Sequence, residues 1–153
     1  MAKASPPARI VISANAAWNI FNFRAGLIRA LLADGHEVVA LAPEDEFAMR
    51  LEAMGCRFVP IAIDNKGTNP LRDGPLFLNY WRRLKDIRPN VFLGYTIKPN
   101  IYGSLAAQSL DVPVINNVSG LGTAFLSTGA LQWLVELLYR TAFRRSQRVF
   151  FQN

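Results

Sequence analysis

Short runs of apolar, often β-branched residues alternate along this chain with longer segments whose apolar residues recur at helical spacing. The runs read RIVISA at 9–14, HEVVALA at 36–42, RFVPIAI at 57–63, NVFLGY at 90–95, VPVINNV at 112–118 and RVFFQ at 148–152. The helical patterns between them occupy 19–35, 44–55, 75–89, 99–110 and 130–146. This alternation is typical of right-handed crossovers and a parallel sheet that helices cover on both faces.

The alternation predicts both a fold class and a strand order. We expect an α/β fold with a Rossmann-like, doubly wound parallel sheet of about six strands in the order 3-2-1-4-5-6. In that order the winding reverses between the first and fourth strands, and ligands bind beyond the carboxyl ends of the strands at this switch point. We expect residues 1–8 to be disordered or extended and residues 9–153 to form the domain.

Composition narrows the class of protein. The chain of 153 residues is 51% hydrophobic and 18% charged, which indicates a globular domain rather than a disordered chain. Its net charge of +6 favours anionic partners such as nucleic acid, a lipid surface or phosphorylated small molecules. Cys56 is the single cysteine, so no disulfide framework is expected. No secretory signal and no apolar run of ~18 residues is present, and we expect a cytoplasmic location.

Several kinds of site lack their sequence signature. A dinucleotide fingerprint would place glycines directly after the first strand, where this chain reads SANAAWNIFNFRAG with Trp18 in the turn. The lone His36 lies at the amino end of the second strand, so we expect no metal site. Because the dinucleotide fingerprint is also missing, we expect no bound cofactor. Asp45 and Asp64 follow the second and third strands, and we expect them to lie away from the switch point. A nucleotide-binding or regulatory module without catalysis remains the alternative.

The loops after the first, fourth and fifth strands bring polar, mostly uncharged side chains to the expected crevice. These side chains are Asn15, Asn19, Thr96, Asn100, Asn117 and Ser119, together with Lys98. Amides and hydroxyls suit sugar hydroxyls, and an ammonium group beside a helix amino terminus suits a phosphate. Solvent exposure is the alternative for Lys98. Gly120 and Gly122 either admit a ligand close to the backbone or simply make turns.

Two predicted helices carry aromatic and basic residues typical of an anionic membrane surface. The first set is Tyr80, Trp81, Arg82, Arg83, Lys85 and Arg88, and the second is Trp133, Tyr139, Arg140, Arg144, Arg145 and Arg148. For the fifth helix the alternative is a buried helix whose basic last turn complements its dipole.

Four segments together resemble the opening half of the family 4 glycosyltransferases. They are SANAAWNIFNFRAGLIRALLADGHEVVALAPEDEFAMRLEAMGCRFVPI, NPLRD, YTIKPNIYGSLAA and INNVSGLGTAF. Members are retaining enzymes built from two Rossmann-like domains, the GT-B architecture. The similar branch moves a sugar, often N-acetylgalactosamine or another N-acetylhexosamine, from a UDP-sugar to an undecaprenyl-diphosphate-linked saccharide in surface polysaccharide synthesis.

The resemblance implies an acceptor-side domain that is inactive alone because the donor-binding domain is missing. It also implies a UDP-sugar as co-substrate without a cofactor, no nucleic acid partner, and a peripheral position on the inner face of the cell membrane. By this resemblance Asn15 and Lys98 are catalytic, with Lys98 neutralising a diphosphate. The implied substrate-binding residues are Ala16, Trp18, Asn19, Thr96, Asn100, Asn117, Ser119, Gly120 and Gly122. Some relatives carry a histidine before the lysine, where this chain has Ile97.

Overall fold

The structure, a computed structural model, describes residues 6–67, 69–120 and 129–152. The strands in this part of the chain are β1 (Arg9–Ser13), β2 (Glu37–Ala42), β3 (Arg57–Pro60), β4 (Val91–Tyr95), β5 (Val114–Val118) and β6 (Arg148–Phe151). All pair in parallel and form one six-stranded sheet in the order β3-β2-β1-β4-β5-β6 within the described residues. The predicted fold class and strand order are therefore confirmed.

Helices cover both faces of the sheet. The helices in the described ranges are α1 (Ala17–Ala33), α2 (Ala48–Ala53), α3 (Gly74–Ile87), α4 (Ser104–Ser109) and α5 (Ala130–Phe143). Alternate residues of β1 face opposite sides of the sheet and pack in two different clusters. Val11 packs with residues of α3, α4 and α5, and Ile10 and Ile12 pack with residues of α1 and α2. This two-residue period explains why the strand reads as a continuous apolar run.

The first helix ends where its sequence indicates. Gly35 follows α1 with a φ of 84°, and its backbone N–H donates to Leu32 O at 3.0 Å. The start differs from the predicted residue 19, because α1 begins at Ala17. Residues 6–8 precede β1 without regular structure, and the division into 1–8 and 9–153 stays a prediction.

Two predicted elements are shorter than expected. The helix predicted at 44–55 is confined to Ala48–Ala53, because the Asp45 carboxylate accepts the Phe47 N–H at 2.8 Å and organises a turn before it. The strand predicted at 57–63 ends at Pro60, although the Ile61 N–H still donates to the Ala42 carbonyl of β2 at 3.1 Å. Shortening β3 leaves residues 61–67 to cross the carboxyl edge of the sheet.

The predicted fourth helix begins irregularly. Residues Pro99–Gly103 form a wide π-helical turn that continues directly into α4. Such turns are frequent at functional sites. This one packs against β4, since a Cβ on Gly103 would meet the Phe92 ring.

Two aromatic residues expected at a membrane surface are buried instead. Tyr80 has no exposed surface, and its hydroxyl lies 2.9 Å from Ser13 Oγ. Tyr139 packs in the core with Val135, whereas Trp133 on the same helix is 64% exposed. Helix α5 is therefore amphipathic, with one face in the core.

Candidate functional site

A cavity of about 430 Å³ lies at the carboxyl edge of the sheet. The segments that follow β1, β3, β4 and β5 supply one part of its wall, and α5 supplies another. The polar residues of its lining are Asn15, Asn65, Asp73, Thr96, Lys98, Tyr102 and Ser119. The apolar residues are Pro70, Ile97, Ile101, Val135 and Leu138. The cavity is thus placed where the strand order predicted a ligand site.

The structure brings some of the predicted site residues together and leaves others apart. The cavity is lined by Asn15, Thr96, Lys98, Ser119 and Gly120. Among the described residues around it, Ala16, Trp18, Asn19, Asn100 and Asn117 are not lining residues. Gly122 lies outside the described residues.

Lys98 is held in an ion pair. Its Nζ lies 2.8 Å from Asp73 Oδ1, and the side chains of the two residues are only 13% and 12% exposed. Tyr102 also hydrogen-bonds to Asp73, and the pKa of Tyr102 is raised first by burial and further by the Asp73 charge. Lys98 is therefore not solvent-exposed, and its predicted binding of an anion stays a prediction.

Asp73 is a functional candidate that the sequence analysis missed. It lies between a 3₁₀ turn (Pro70–Arg72) and the first residue of α3, and its carbonyl accepts the backbone N–H of Leu76 at 3.0 Å. A signal was present, because Asp directly before Gly-Pro is a typical helix start, and a helix that follows a parallel strand starts at the carboxyl edge.

The expectation that Asp64 lies far from the switch point is wrong. The backbone N–H groups of Lys66 and Gly67 lower the pKa of Asp64, and the Lys98 charge adds to this effect. The neighbouring Asn65 donates from Nδ2 to the Asn15 carbonyl at 2.9 Å. The segment after β3 therefore reaches across the edge to the loop after β1, because β3 ends early.

Thr96 adopts a conformation that is unusual for a β-branched residue. Its φ is 65°, and it directly follows β4, shortly before Lys98. Such a conformation costs on the order of 1–3 kcal/mol. Its Oγ1 is buried and has no hydrogen-bond partner among the described residues. A strained residue with an unsatisfied hydroxyl beside the cavity is typical of a ligand-binding position.

Asn100 has a structural role that the sequence did not indicate. Its Nδ2 donates to the Asn117 carbonyl at 2.9 Å, and its Oδ1 accepts from Asn116 Nδ2 at 2.9 Å. Asn116 also donates to Ser104 Oγ at 2.7 Å. Both ends of the Asn100 amide are thus used inside the protein, where they tie α4 and its preceding turn to β5. The predicted contact between Asn100 and a substrate stays a prediction.

The turn after β1 is also engaged internally. The Trp18 N–H donates to Asp45 Oδ2 at 2.9 Å, and the Ala17 N–H donates to the Pro43 carbonyl at 3.3 Å. A carboxylate therefore occupies the amino terminus of α1, where an anionic ligand would be favoured. This finding corrects the expected position of Asp45. The Trp18 indole is 46% exposed and stacks edge-on against Phe23.

A second cation lies at the carboxyl edge, on the α1 side of the sheet. The Arg24 guanidinium stacks 4.2 Å from the centre of the Tyr95 ring, and its Nη2 lies 3.3 Å from Gln152 Oε1. Burial raises the pKa of Tyr95, and the Arg24 charge opposes that effect. The helical pattern of α1 gave no signal for this contact.

His36 lies at the opposite edge, where its Nδ1 accepts the Ala8 N–H at 3.1 Å. In the described ranges, no three His, Cys, Asp or Glu side chains lie close enough together to hold a metal ion. The expectation of no metal and no cofactor stays a prediction.

Comparison with known proteins identifies related sequences. The family model described as a glycosyl transferase 4-like domain matches residues 23–153. A Campylobacter jejuni protein named N,N'-diacetylbacillosaminyl-diphospho-undecaprenol alpha-1,3-N-acetylgalactosaminyltransferase is 25% identical over 150 residues, which are 95% of this chain and 40% of that protein. The chain thus spans about two fifths of this relative's length.

Solved structures share the fold. MurG from Acinetobacter baumannii superposes with a TM-score of 0.61 at 16% identity, covering 95% of this chain and 41% of that one. UDP-GlcNAc 2-epimerase from Neisseria meningitidis, bound to UDP-GlcNAc, superposes with a TM-score of 0.58 at 18% identity, covering 91% of this chain and 39% of that one. At these identities the likeness shows the fold alone.

Proposed function

Because the chain belongs to the glycosyl transferase 4-like domain family, we propose that it is the acceptor-binding domain of a glycosyltransferase. In this proposal the enzyme moves a sugar from a UDP-sugar to a saccharide carried on undecaprenyl diphosphate, in the synthesis of a surface polysaccharide. The observation that carries the proposal is the cavity at the switch point, whose lining combines amides and hydroxyls with an apolar wall. That combination suits a saccharide, which presents hydroxyls together with apolar ring faces.

The Campylobacter relative supports the choice of acceptor, since its name specifies a saccharide linked through a diphosphate to undecaprenol. The structure that holds UDP-GlcNAc in the same fold supports a nucleotide sugar as donor. We assign the donor site to a second domain that follows this one, and we expect the 153-residue chain alone to be inactive.

The proposed contribution of this chain to catalysis is positioning. Asn15 and Lys98 line the cavity and are assigned to hold the acceptor saccharide through hydrogen bonds. Asp73, the carboxylate of the described cavity lining, is already paired with Lys98 and Tyr102. We therefore assign it no nucleophilic role, and we propose a retaining reaction that rests on orientation and on stabilising the leaving diphosphate.

We also propose that the domain binds the inner membrane surface peripherally. No helix in the described ranges is long and apolar enough to span a bilayer. Helix α3 exposes Arg82, Arg83 and Lys85, and α5 exposes Trp133. Basic residues together with an exposed indole favour contact with anionic headgroups.

A transfer assay tests the main proposal. The chain, joined to the donor-binding domain that we propose follows it, is incubated with UDP-N-acetylgalactosamine and an acetamido sugar on undecaprenyl diphosphate. We expect labelled sugar to enter the lipid fraction, and Asn15→Ala to lower kcat/KM by at least about tenfold. Asn22→Ala is the matched control, because Asn22 is exposed on α1 and outside the cavity lining.

Two results would contradict the proposed function. One is absence of transfer by the joined protein with a folded donor domain. The other is saturable binding of NAD to the 153-residue chain by calorimetry, which would favour the nucleotide-binding module.

A further inference from the structure

The cavity carries no net charge among its described lining residues. Lys98 supplies its positive charge, Asp73 supplies its negative charge, and the two groups lie 2.8 Å apart. A diphosphate carries several negative charges and needs an excess of positive charge or free N–H donors around it. The described lining offers no excess of positive charge, because the ammonium group is already opposed by a carboxylate.

Asp73 is firmly fixed in this position. It lies at the amino terminus of α3, where the helix dipole favours a carboxylate, and Tyr102 hydrogen-bonds to it. Its backbone N–H donates to the Pro70 carbonyl at 3.2 Å. An anionic ligand would therefore have to separate Lys98 from a carboxylate that the fold itself holds in place.

A second carboxylate lies nearby. A Cβ built on Gly67 would lie 2.7 Å from Asp64 Oδ2 and 3.8 Å from Lys98 Nζ, so both groups flank that glycine. Lys98 thus has two carboxylates near it, although the charge of Lys66 also acts on Asp64. The Lys98–Asp73 pair leaves the cavity lining without an excess positive charge for a phosphate group, and its polar atoms suit hydroxyls.

We propose that the cavity is a subsite for an uncharged acetamido-sugar unit of the acceptor, and that Asp73 determines this selectivity by neutralising Lys98. The lipid-linked diphosphate then lies outside the cavity, contrary to the role that the sequence suggested for Lys98. The inference rests on the proposed function, since it specifies which part of the acceptor the same site takes.

The lining suits such a unit in detail. Lys98 has three N–H donors, more than Asp73 alone can take up, and the second carboxylate oxygen of Asp73 accepts hydrogen bonds. The buried hydroxyl of Thr96 has no partner among the described residues. Ile97, Ile101 and Val135 give an apolar wall for the acetamido methyl and a ring face.

Nuclear magnetic resonance of the ¹⁵N-labelled 153-residue chain tests the inference. The probes are methyl N-acetylglucosaminide, methyl glucoside and inorganic pyrophosphate. We expect the acetamido sugar to shift the amide signals of Thr96, Ser119 and Gly120 more strongly than the glucoside does. Pyrophosphate should leave these signals unchanged in the wild-type chain.

Variants then test the role of Asp73. Asp73→Asn keeps the shape of the side chain and removes its charge, and we expect it to raise pyrophosphate affinity at the cavity by at least about tenfold. Lys98→Met should lose sugar binding without gaining pyrophosphate binding. Glu37→Gln is the matched control, because it neutralises the carboxylate of the Arg9–Glu37 ion pair at the amino edge and should change neither affinity.

The wild-type chain decides the question even if a variant fails to fold. Pyrophosphate binding at the cavity of the wild-type chain, or no sugar-dependent shift there, overturns the inference. If a folded Asp73→Asn variant gains no pyrophosphate affinity, the role assigned to Asp73 is wrong. If the joined protein transfers sugar but pyrophosphate binds in the cavity of the wild-type chain, this inference is wrong and the proposed function stands. Sugar selectivity without transfer by the joined protein refutes the proposed function instead.

Discussion

Gly103→Ala tests the packing that supports the π-helical turn after Lys98. A Cβ at this position would lie 2.4 Å from Phe92 Cζ and 3.2 Å from Tyr80 Cε1. Real Cβ atoms essentially never approach other atoms closer than 3.0 Å, so the turn or an aromatic ring has to move. The glycine is required by this close approach and not by its backbone, because its φ of −64° is ordinary helical geometry.

The two rings have little freedom to yield. Phe92 and Tyr80 are both completely buried, and their rings meet edge to face with centres 6.1 Å apart. The Tyr80 hydroxyl is tethered by its hydrogen bond with Ser13, whose Oγ also lies 2.7 Å from the Leu41 carbonyl. Moving either ring would disturb both the core and the turn that holds Lys98.

The expected magnitude follows from two opposing effects. Overpacking a core with one methyl group costs about 1–3 kcal/mol, and a contact as short as 2.4 Å favours the upper end. Alanine in place of glycine in a helix stabilises by about 0.8–1 kcal/mol. We therefore expect Gly103→Ala to lower the free energy of unfolding by about 2 kcal/mol.

Gly26→Ala is the matched control, because Gly26 lies within α1 and a Cβ there would meet nothing within 4 Å. This variant should gain about 0.8–1 kcal/mol. Urea unfolding followed by circular dichroism measures both variants, and the difference between them isolates the overpacking cost. Equal stability of the two variants would refute the close packing at Gly103.

Four further predictions concern other parts of the molecule. Lys98→Met and Asp73→Asn should each lower the free energy of unfolding, measured with urea, by about 3–5 kcal/mol. The double variant should lose less than the sum of the two single losses, and additive losses would contradict the ion pair. Asn116→Ala should lower the free energy of unfolding by about 1–3 kcal/mol for each buried group that loses its hydrogen bond to Asn116. Asn22→Ala should lower it by about 0.5 kcal/mol or less, and equal losses would argue against the buried network. Burial raises the pKa of Cys56 from 9.0 to about 11, so the folded protein keeps a proton that the unfolded chain loses between these values. Stability should thus fall as pH rises through this window, and Cys56→Ala should remove up to about 2–3 kcal/mol of that fall; identical pH profiles would contradict the assignment. The double variant Arg82→Glu/Arg83→Glu should bind anionic vesicles at least about tenfold more weakly in a sedimentation assay, and Arg29→Glu should not. If the wild-type protein sediments equally with neutral and anionic vesicles, the membrane proposal is wrong.

The fold could be predicted from the sequence because its signals are local. Apolar runs with a period of two residues, helical spacing between them and Gly35 at a helix end each depend on neighbouring residues. Parallel pairing and right-handed crossovers then restrict the topology, and the observed strand order agrees. The same rules placed the turns that contain Asn15 and Lys98 at one edge, where both line the cavity.

The partners of these residues depended on tertiary structure. Asp73 meets Lys98 across 25 residues of sequence, and Tyr80 meets Ser13 across 67. Of the two adjacent amides in β5, Asn116 rather than Asn117 faces α4, and the orientation of the strand in the sheet decides this. Local patterns specify which residues reach the sheet edge, but the packing of helices against the sheet determines which charges they meet there.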